Sequence, residues 1–199
     1  KSRLYHSSAV AREIAASISA YLRHPIRQTR FDENASDALP QLIVVRLNND
    51  QCTISIDTSG AHLHRRGYRL ASAKAPLREN LAAGLIMASG WDMSSPLLDP
   101  FCGSGTIPIE AALMALHIPP GVARRFAFMD WPGYQVERWE AILNESKQQI
   151  TNHAPSIQAS DRDAGAIILA RTNAERAGVA NSIEFSHRAI SAIEPPAHG

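Results

Sequence analysis

The sequence predicts an α/β domain with a parallel sheet, preceded by a smaller α+β segment. In residues 74–199, short apolar segments alternate with helical patterns, which is typical of right-handed βαβ units. In residues 1–60, one helical pattern precedes two strand patterns that flank a turn. We therefore predict an α+β domain over 1–60, a basic linker over 61–73 and the α/β domain over 74–199.

Composition limits the classes of protein. The 199 residues are 45% hydrophobic and 20% charged, as in ordinary soluble globular proteins. No apolar run reaches the roughly 18–20 residues that span a bilayer, and no secretory signal is evident. Two cysteines are too few for a disulfide framework, which favours a reducing, cytoplasmic setting. Because the chain begins with Lys1 rather than Met, we expect it to be a fragment.

The charge is unevenly distributed along the chain. Its net value is +1, but residues 1–73 carry +4 and residues 74–199 carry −3. A positive balance favours contact with a polyanion, so the N-terminal third is the better candidate for such a partner. Most imbalances of this size, however, only reflect solvated surface.

The N-terminal third contains one predicted helix and one predicted hairpin. Apolar residues recur at helical spacing over 7–22, and Ser7 or Ser8 is a suitable N-cap. Strand patterns over 42–47 and 52–56 flank an Asn-Asn-Asp turn, which is typical of a hairpin. In the second strand we predict one solvated face and one buried face, formed by Cys52, Ile54 and Ile56. One helix and one hairpin make a poor core alone, so we expect the rest of this sheet to lie upstream.

A basic segment follows the hairpin. Residues 63–69 contain three arginines, a histidine and a tyrosine. Arginine binds phosphate bidentately and a tyrosine ring can stack on a base, so nucleic-acid contact is one interpretation. A solvated linker is the commoner explanation of such a run. The candidate nucleic-acid-binding residues are Arg65, Arg66, Tyr68 and Arg69.

The α/β part begins with a predicted helix. We expect it to open near Pro76, a suitable first helical residue, and to end at Gly90. Its apolar stripe is Leu77, Leu81, Leu85 and Ala88. Three strands are predicted, over 97–98, 156–161 and 183–185. The further predicted helices lie between the glycine turn and Pro119, over 136–150 within an insertion at 122–150, and over 163–177.

A glycine turn after the first of these strands is the strongest candidate for a site. Its sequence is Asp99-Pro100-Phe101-Cys102-Gly103-Ser104-Gly105-Thr106. Gly103 and Gly105 allow a ligand to approach the backbone, and the helix that follows presents free N–H groups. Asp99 stands where the strand ends. This layout is typical of a nucleotide-type cofactor site at the C-terminal edge of a parallel sheet.

Three other interpretations of the turn are less consistent with its residues. A P-loop needs a lysine, and none follows Gly105. A dinucleotide fingerprint needs a third glycine where Pro108 stands, and an acid about 20 residues later, which is also lacking. Cys102 has no evident activating base, so covalent catalysis through its thiol is disfavoured.

Longer motifs connect the turn with its flanks and carry a family resemblance. In order they are Asp57-Thr58-Ser59-Gly60, Leu63-His64-Arg65-Arg66-Gly67-Tyr68-Arg69, Lys74-Ala75-Pro76-Leu77-Arg78-Glu79 and the stretch from Asp99 to Ala112. Over about residues 1–195 the chain resembles the THUMP-domain RNA methyltransferases of the bacterial 23S ribosomal RNA guanine-N2 type, often labelled N6-adenine-specific DNA methylases. The resemblance implies a Rossmann-like class I methyltransferase domain after the C-terminal part of a THUMP-like RNA-binding domain.

The resemblance also implies a reaction and a partner. The expected cofactor is S-adenosyl-L-methionine, and the expected reaction is methyl transfer to an exocyclic amine of a nucleobase, guanine N2 of 23S ribosomal RNA. The expected partner is RNA, with no membrane and no metal, and the oligomeric state is left open. Two alternatives also stay open: a DNA adenine-N6 methyltransferase that shares the cofactor motif, and a cofactor- or RNA-binding fragment without activity.

The resemblance assigns roles to residues around the turn. N–H groups from Gly103 to Thr106 would face the methionine part of the cofactor, and Asp99 would attract its amino group or a bridging water. Asp161 would accept from the ribose hydroxyls, and it is also a candidate N-cap of the following helix. Arg162 would lie along the adenine. The predicted cofactor-binding residues are Lys74, Pro76, Asp99, Pro100, Phe101, Cys102, Gly103, Gly105, Thr106, Asp161 and Arg162.

The chain departs from the family pattern in two places. Ala189 stands where relatives carry an adenine-binding Asp, so the backbone or His187 would supply that contact. The stretch Glu194-Pro195-Pro196-Ala197 lacks the aromatic residue of an Asn/Asp-Pro-Pro-Tyr catalytic turn. We expect that turn beyond Gly199, and we therefore assign no catalytic residue within the chain.

Overall fold

The structure of the protein is a computed structural model that describes residues 3, 6–29, 40–69 and 77–193. The chain divides into two compact units, each with its own internal packing. The first unit is Lys1–His62 with Arg125–Tyr134, and the second is Leu63–Arg124 with Gln135–Gly199. Part of the predicted insertion therefore belongs to the first unit.

The first unit contains one helix and one hairpin, as the sequence predicts. Helix α1 spans Ser7–Leu22, and strands β1 (Ile43–Asn48) and β2 (Gln51–Ile56) pair antiparallel. The turn between the strands holds Asn49 and Asp50 at φ +48° and +59°. Asn and Asp tolerate this left-handed region better than most residues, which explains why the Asn-Asn-Asp sequence closes a tight hairpin.

Two predicted details of the first unit are wrong. His6 is the N-cap residue of α1 and makes no side-chain capping bond, because Ser7 and Ser8 already lie inside the helix. Strand β2 is exposed along its whole length, with Ile54 at 56% and Ile56 at 53%. A cavity of about 500 Å³ beside α1 is lined by side chains of β1 but by no residue of β2. The predicted buried face of β2 is therefore uncovered within the described part of the chain.

The second unit alternates strands and helices. Its elements in chain order are α2 (Glu79–Ala88), β3 (Leu97–Asp99), α3 (Thr106–Ala115), α4 (Val136–Gln148), β4 (Ile157–Asp161), α5 (Ala164–Ala177) and β5 (Glu184–His187). The strands form one parallel sheet in the order β3-β4-β5, with Leu97 opposite Ile157 and Ala159 opposite Phe185. The predicted parallel sheet is confirmed.

The core of the second unit lies between this sheet and helices α3 and α5. Helix α3 is buried on nearly all sides, and small residues such as Ala112 allow its neighbours to approach closely. Helix α5 buries Ile167, Ala170 and Ala174, as its spacing predicts, and Gly178 ends it at φ +75°. The C-terminal ends of β3 and β4 therefore lie beside the N-termini of α3 and α5.

Helix α2 presents a different face to the core than the sequence predicts. It begins at Glu79 rather than near residue 76, and it buries Ala82 and Ile86. Leu81 and Leu85 of the predicted stripe are 52% and 55% exposed. Apolar residues lie on both sides of this helix, so periodicity alone does not fix its rotation. The buried carboxylate of Glu79 does, because it must face a cation inside the unit.

Candidate functional site

The glycine turn joins β3 to α3 at the C-terminal edge of the parallel sheet. Asp99 is the last residue of β3, and its Oδ1 accepts a 3.0 Å hydrogen bond from the N–H of Phe101. The N–H of Gly105 donates to the carbonyl of Cys102 at 2.8 Å. Gly105 is the N-cap residue of α3 and has φ +85°, a conformation that favours glycine. The turn is thus folded by its own main chain.

The end of β4 is bonded to this turn. Oδ2 of Asp161 accepts a 3.0 Å hydrogen bond from the N–H of Gly103, and its Oδ1 accepts one of 2.9 Å from the N–H of Asp163. Each carboxylate oxygen can accept a further bond, so both remain able to receive O–H donors. The structure therefore brings the two ends of the predicted cofactor site together.

Asp161 is not the cap of α5. That role belongs to Asp163, whose Oδ1 accepts from the N–H groups of Gly165 (2.8 Å) and Ala166 (3.3 Å). The sequence-based alternative for Asp161 is wrong because the helix begins two residues later. The carboxylate of Asp161 thus serves the glycine turn rather than α5.

The two glycines of the turn have different surroundings. A Cβ on Gly105 would lie 3.0 Å from the Cβ of Ala170, so this glycine allows α5 to pack against the turn. A Cβ on Gly103, at φ +53°, would meet no atom within 4 Å. The space beside Gly103 is therefore open, as a ligand-binding turn requires. Phe101 lies next to it in sequence and is 69% exposed.

The N–H groups of the turn are less available than expected. Those of Gly103 and Gly105 already donate to Asp161 and to Cys102. That the N–H groups from Gly103 to Thr106 face a cofactor stays a prediction. The carboxylates of Asp99 and Asp161 are the groups beside the turn that can accept further hydrogen bonds.

Burial controls the protonation of the groups near the turn. It raises the pKa of Asp99 above its usual value, and the negative charge of Asp161 adds to this effect. Burial, together with the charges of Asp99 and Asp161, raises the pKa of the Cys102 thiol to about 12. The thiol is therefore protonated at neutral pH and is a poor nucleophile, in agreement with the sequence analysis.

The basic segment before α2 lies inside the second unit. Tyr68 is 4% exposed and its hydroxyl donates to Glu110 at 3.1 Å. The side chains of Arg66 and Arg69 are 16% and 12% exposed and face Glu110 and Glu79. The buried ring of Tyr68 has no open face for a base, so its predicted stacking role conflicts with the structure. The cause is the burial of two glutamates, which require cationic partners.

Arg65 is the fourth predicted RNA-binding residue of the basic segment. It is half-buried, and its main-chain carbonyl accepts a long hydrogen bond of 3.5 Å from Nη1 of Arg124. The RNA-binding role of Arg65 stays a prediction.

Asn173 is a residue of this site that the sequence analysis missed. It is 3% exposed on α5, and its Nδ2 donates to the main-chain carbonyl of Ser104 at 3.1 Å. The only signal in the sequence is an asparagine three residues after Ala170, on the buried side of an otherwise apolar helix stripe. Its amide supports the glycine turn from beneath.

The adenine side of the predicted site lies at the ends of β4 and β5. Arg162 is exposed, and its carbonyl accepts a 2.9 Å hydrogen bond from Nε2 of His187, the last residue of β5. Ala189 is also exposed. The contacts of Arg162 and His187 with a cofactor stay predictions.

Some predicted residues lie outside the described part of the chain. Lys74, Pro76 and the stretch 194–197 belong to this group. Within the described ranges, no cluster of three His, Cys, Asp or Glu residues is arranged to hold a metal ion. Among the same residues, no helix has both the length and the apolar character needed to cross a membrane.

A parallel α/β sheet with a glycine turn after one strand and a carboxylate at the end of the next is a Rossmann-like site for a cofactor that contains a nucleoside. The fold and the site point to the class of α/β proteins that bind such a cofactor. The chain belongs to the RMKL-like methyltransferase domain family, whose model matches residues 66–197.

Individual relatives agree with this assignment. The chain is 41% identical over 187 residues to the ribosomal RNA large subunit methyltransferase K/L of Shewanella frigidimarina, which covers 86% of this chain and 26% of that protein. A solved structure of a predicted N6-adenine-specific DNA methylase from Listeria monocytogenes is 35% identical with a TM-score of 0.79, covering 94% of this chain and 48% of that one. SMU.472, described as a methyltransferase and solved with S-adenosylhomocysteine (SAH), is 31% identical with a TM-score of 0.75, covering 93% and 48%. The chain thus spans about a quarter of the curated relative and about half of each solved structure.

Proposed function

We propose that the protein is an S-adenosyl-L-methionine-dependent methyltransferase that modifies an exocyclic amine of a nucleobase in RNA, namely guanine N2 of 23S ribosomal RNA. The observation that carries the proposal is the hydrogen bond between Gly103 and Asp161. It joins the turn after β3 to the end of β4, and the space beside Gly103 is open. The ribosomal RNA methyltransferase named above supports the choice of substrate. The structure solved with SAH supports the choice of cofactor.

The residues of the turn fit a nucleoside cofactor with an amino-acid tail. Asp161 offers two carboxylate oxygens at the strand end, and the two hydroxyls of a ribose need two acceptors. Asp99, at the end of the neighbouring strand, is the acceptor for the amino group of the tail. The open side of Gly103 gives the room that such a ligand needs. The bound cofactor would supply an activated methyl group on a sulfonium.

The described residues contribute by holding and orienting rather than by acid or base chemistry. The thiol of Cys102 is protonated, and Asp99 and Asp161 accept main-chain hydrogen bonds. Fixing one reactant in a near-attack position removes much of the entropic barrier of a bimolecular transfer. Support from Asn173 beneath the turn keeps that position rigid. We therefore assign this part of the protein to cofactor binding.

We also propose that the first unit is part of a THUMP-like RNA-binding domain. The first unit carries a net charge of only +1, because Arg65, Arg66 and Arg69 belong to the second unit, so phosphate contact there depends on individual exposed arginines and does not read base edges. Arg12 and Arg46 are exposed on α1 and β1 and are suitable phosphate contacts. A ribosomal RNA substrate places the enzyme in the cytoplasm.

Two measurements test the proposed function. Isothermal titration of the protein with SAH is expected to give one site per chain, and absence of binding would overturn the assignment. Transfer of labelled methyl groups by the full-length protein to protein-free 23S ribosomal RNA is then compared with transfer to duplex DNA. Label in RNA alone supports the proposal, whereas label in DNA alone favours an adenine-N6 DNA methyltransferase, the activity in the name of one solved relative.

A further inference from the structure

Arg69 connects three parts of the second unit in its interior. Its Nη2 donates to the carbonyl of Leu77 at 3.1 Å and to Oγ1 of Thr106 at 2.5 Å. Its Nε lies 3.9 Å from Oε1 of Glu79, whose side chain is 5% exposed. One guanidinium therefore holds the segment before α2, the first residue of α2 and the first residue of α3.

Thr106 is the point where the glycine turn becomes a helix. It follows Gly105, whose φ of +85° marks the change from turn to helical backbone. Thr106 is 5% exposed, so its hydroxyl is enclosed and faces the guanidinium rather than solvent. A hydroxyl held in this way fixes the rotation of the first residue of α3. Through the main chain, it also fixes the position of Gly105, where the turn ends and α3 begins.

We infer that Arg69 is a positioning residue for the cofactor site, which it orients through Thr106. The inference rests on the proposed function, because it identifies what keeps the glycine turn ready for the cofactor. Arginine suits this task because its planar fork can reach a carbonyl, a hydroxyl and a carboxylate at once. A lysine in its place keeps the charge and has three N–H donors, but all of them lie on one nitrogen, so it lacks the planar fork whose separate nitrogens face different partners.

A merely structural role makes a different prediction from a positioning role. A structural arginine lowers the stability of the protein when replaced and leaves the affinity of the folded protein for its ligand unchanged. Arg171 on α5 is the matched control, because its Nη2 also donates to a main-chain carbonyl, that of Phe185, while its described contacts do not include α3. Its replacement by lysine removes a guanidinium with a similar main-chain hydrogen bond at a place that does not contact Thr106.

The experiment combines titration with SAH and hydrogen–deuterium exchange of the ligand-free protein. The variants are Arg69→Lys, Thr106→Val, Thr106→Ser and the control Arg171→Lys. We expect Arg69→Lys and Thr106→Val to raise the Kd for SAH on the order of tenfold, because binding must then order the turn at a cost comparable to that of the lost hydrogen bond. We expect Thr106→Ser, which retains the hydroxyl, to lose less affinity for SAH than Thr106→Val, and we expect the control Arg171→Lys to bind SAH like the original chain.

Hydrogen exchange separates the two hypotheses. Arg69→Lys is expected to speed exchange of the amides in residues 104–109 without speeding those of β5. If the original chain does not bind SAH, the proposed function fails, and the exchange result still decides whether Arg69 orders the turn. If Arg69→Lys and Arg171→Lys change affinity and exchange near residue 104 equally, the positioning role of Arg69 is wrong. A normal Kd and normal exchange in Thr106→Val would overturn it as well.

Discussion

The N–H of Gly103 donates a 3.0 Å hydrogen bond to Oδ2 of Asp161, and this bond joins the glycine turn after β3 to the end of β4. The two residues are 58 positions apart in the sequence. The same carboxylate accepts from the N–H of Asp163 through its other oxygen. Asp161 is therefore fixed in orientation before any ligand arrives, so a ribose would meet preorganised acceptors.

Replacing Asp161 is expected to weaken cofactor binding far more than it weakens the fold. Asp161→Ala removes the acceptors proposed for the ribose and the bond that holds Gly103. We expect the Kd for SAH to rise on the order of 100-fold, as for the loss of two hydrogen bonds to a charged group. Isothermal titration measures this change.

Asp163 provides the matched control two residues away. Asp163→Ala removes the N-cap of α5, which is worth about 1 kcal/mol, and keeps the main-chain N–H that Asp161 accepts from. We expect a lower free energy of unfolding and a nearly unchanged Kd for SAH. Equal losses of affinity in the two variants would contradict the distinction between them.

Replacing the two glycines of the turn by alanine is expected to affect stability and ligand binding to different extents. Both have positive φ, which costs an L-residue about 1–2 kcal/mol. Gly105→Ala also places a Cβ 3.0 Å from that of Ala170, so we expect a further loss of ~1–3 kcal/mol from overpacking. Urea denaturation of the two variants measures the difference.

Ligand binding is expected to show the opposite order. The added methyl group of Gly103→Ala enters open space that we assign to the cofactor. We therefore expect Gly103→Ala to raise the Kd for SAH more than Gly105→Ala does, although it lowers the free energy of unfolding less. A Gly103→Ala variant that binds SAH as tightly as the original chain would show that the cofactor lies elsewhere. Comparing both variants at a temperature where each is folded keeps stability from obscuring affinity.

The turn could be predicted from the sequence because its residue types impose its geometry. Gly103 and Gly105 both take the positive φ that only glycine adopts readily, and Asp99 ends a short apolar strand. No relation between distant residues is needed to identify such a segment. The alternation of strands and helices likewise predicted the parallel sheet, because period and connection length are local properties.

The supports of the turn could not be predicted in the same way. Asn173 bonds to Ser104 across 69 positions, and Tyr68 bonds to Glu110 across 42. Each pairing depends on how two elements pack, and the side-chain types alone are equally compatible with solvated positions. The three arginines and the tyrosine of the basic segment therefore suggested an RNA surface, although Tyr68 and Glu110 are buried together. Whether an arginine or a tyrosine contacts RNA or a buried glutamate depends on its burial, and a single sequence does not show which of these residues are buried.

The stability of the protein is expected to depend on pH through Asp99 in an unusual direction. Burial raises the pKa of this carboxyl, so the native state keeps its proton to higher pH than the unfolded chain does. Between the unfolded and native pKa values, unfolding releases a proton, and stability falls as pH rises. Asp99→Asn removes this effect while keeping an acceptor for the N–H of Phe101.

Asp92 is the contrasting carboxylate of the same unit. Hydrogen bonds from the N–H groups of Ser95 and Ser94 lower its pKa, so it adds stability that is lost as pH falls through its native pKa. Urea denaturation from about pH 3 to about pH 7 is the measurement. The stability of Asp99→Asn relative to the original chain should rise with pH, and that of Asp92→Asn should fall. Shifts of the same sign in both variants would contradict the assigned burial of Asp99.

The two cysteines are expected to differ strongly in reactivity. Cys52 on β2 is exposed, whereas Cys102 in the glycine turn is 6% exposed and its pKa is raised to about 12 by burial and by nearby carboxylates. Because the thiolate is the reactive form, iodoacetamide should label Cys52 in the native protein and leave Cys102 unmodified. Peptide mass spectrometry measures the labelling, and the same reagent in urea should modify both. Rapid native labelling of Cys102 would mean that the turn is open to solvent. The variant Cys52→Ser is the control. In urea it should still be labelled at Cys102, which would show that this thiol reacts once the protein is unfolded.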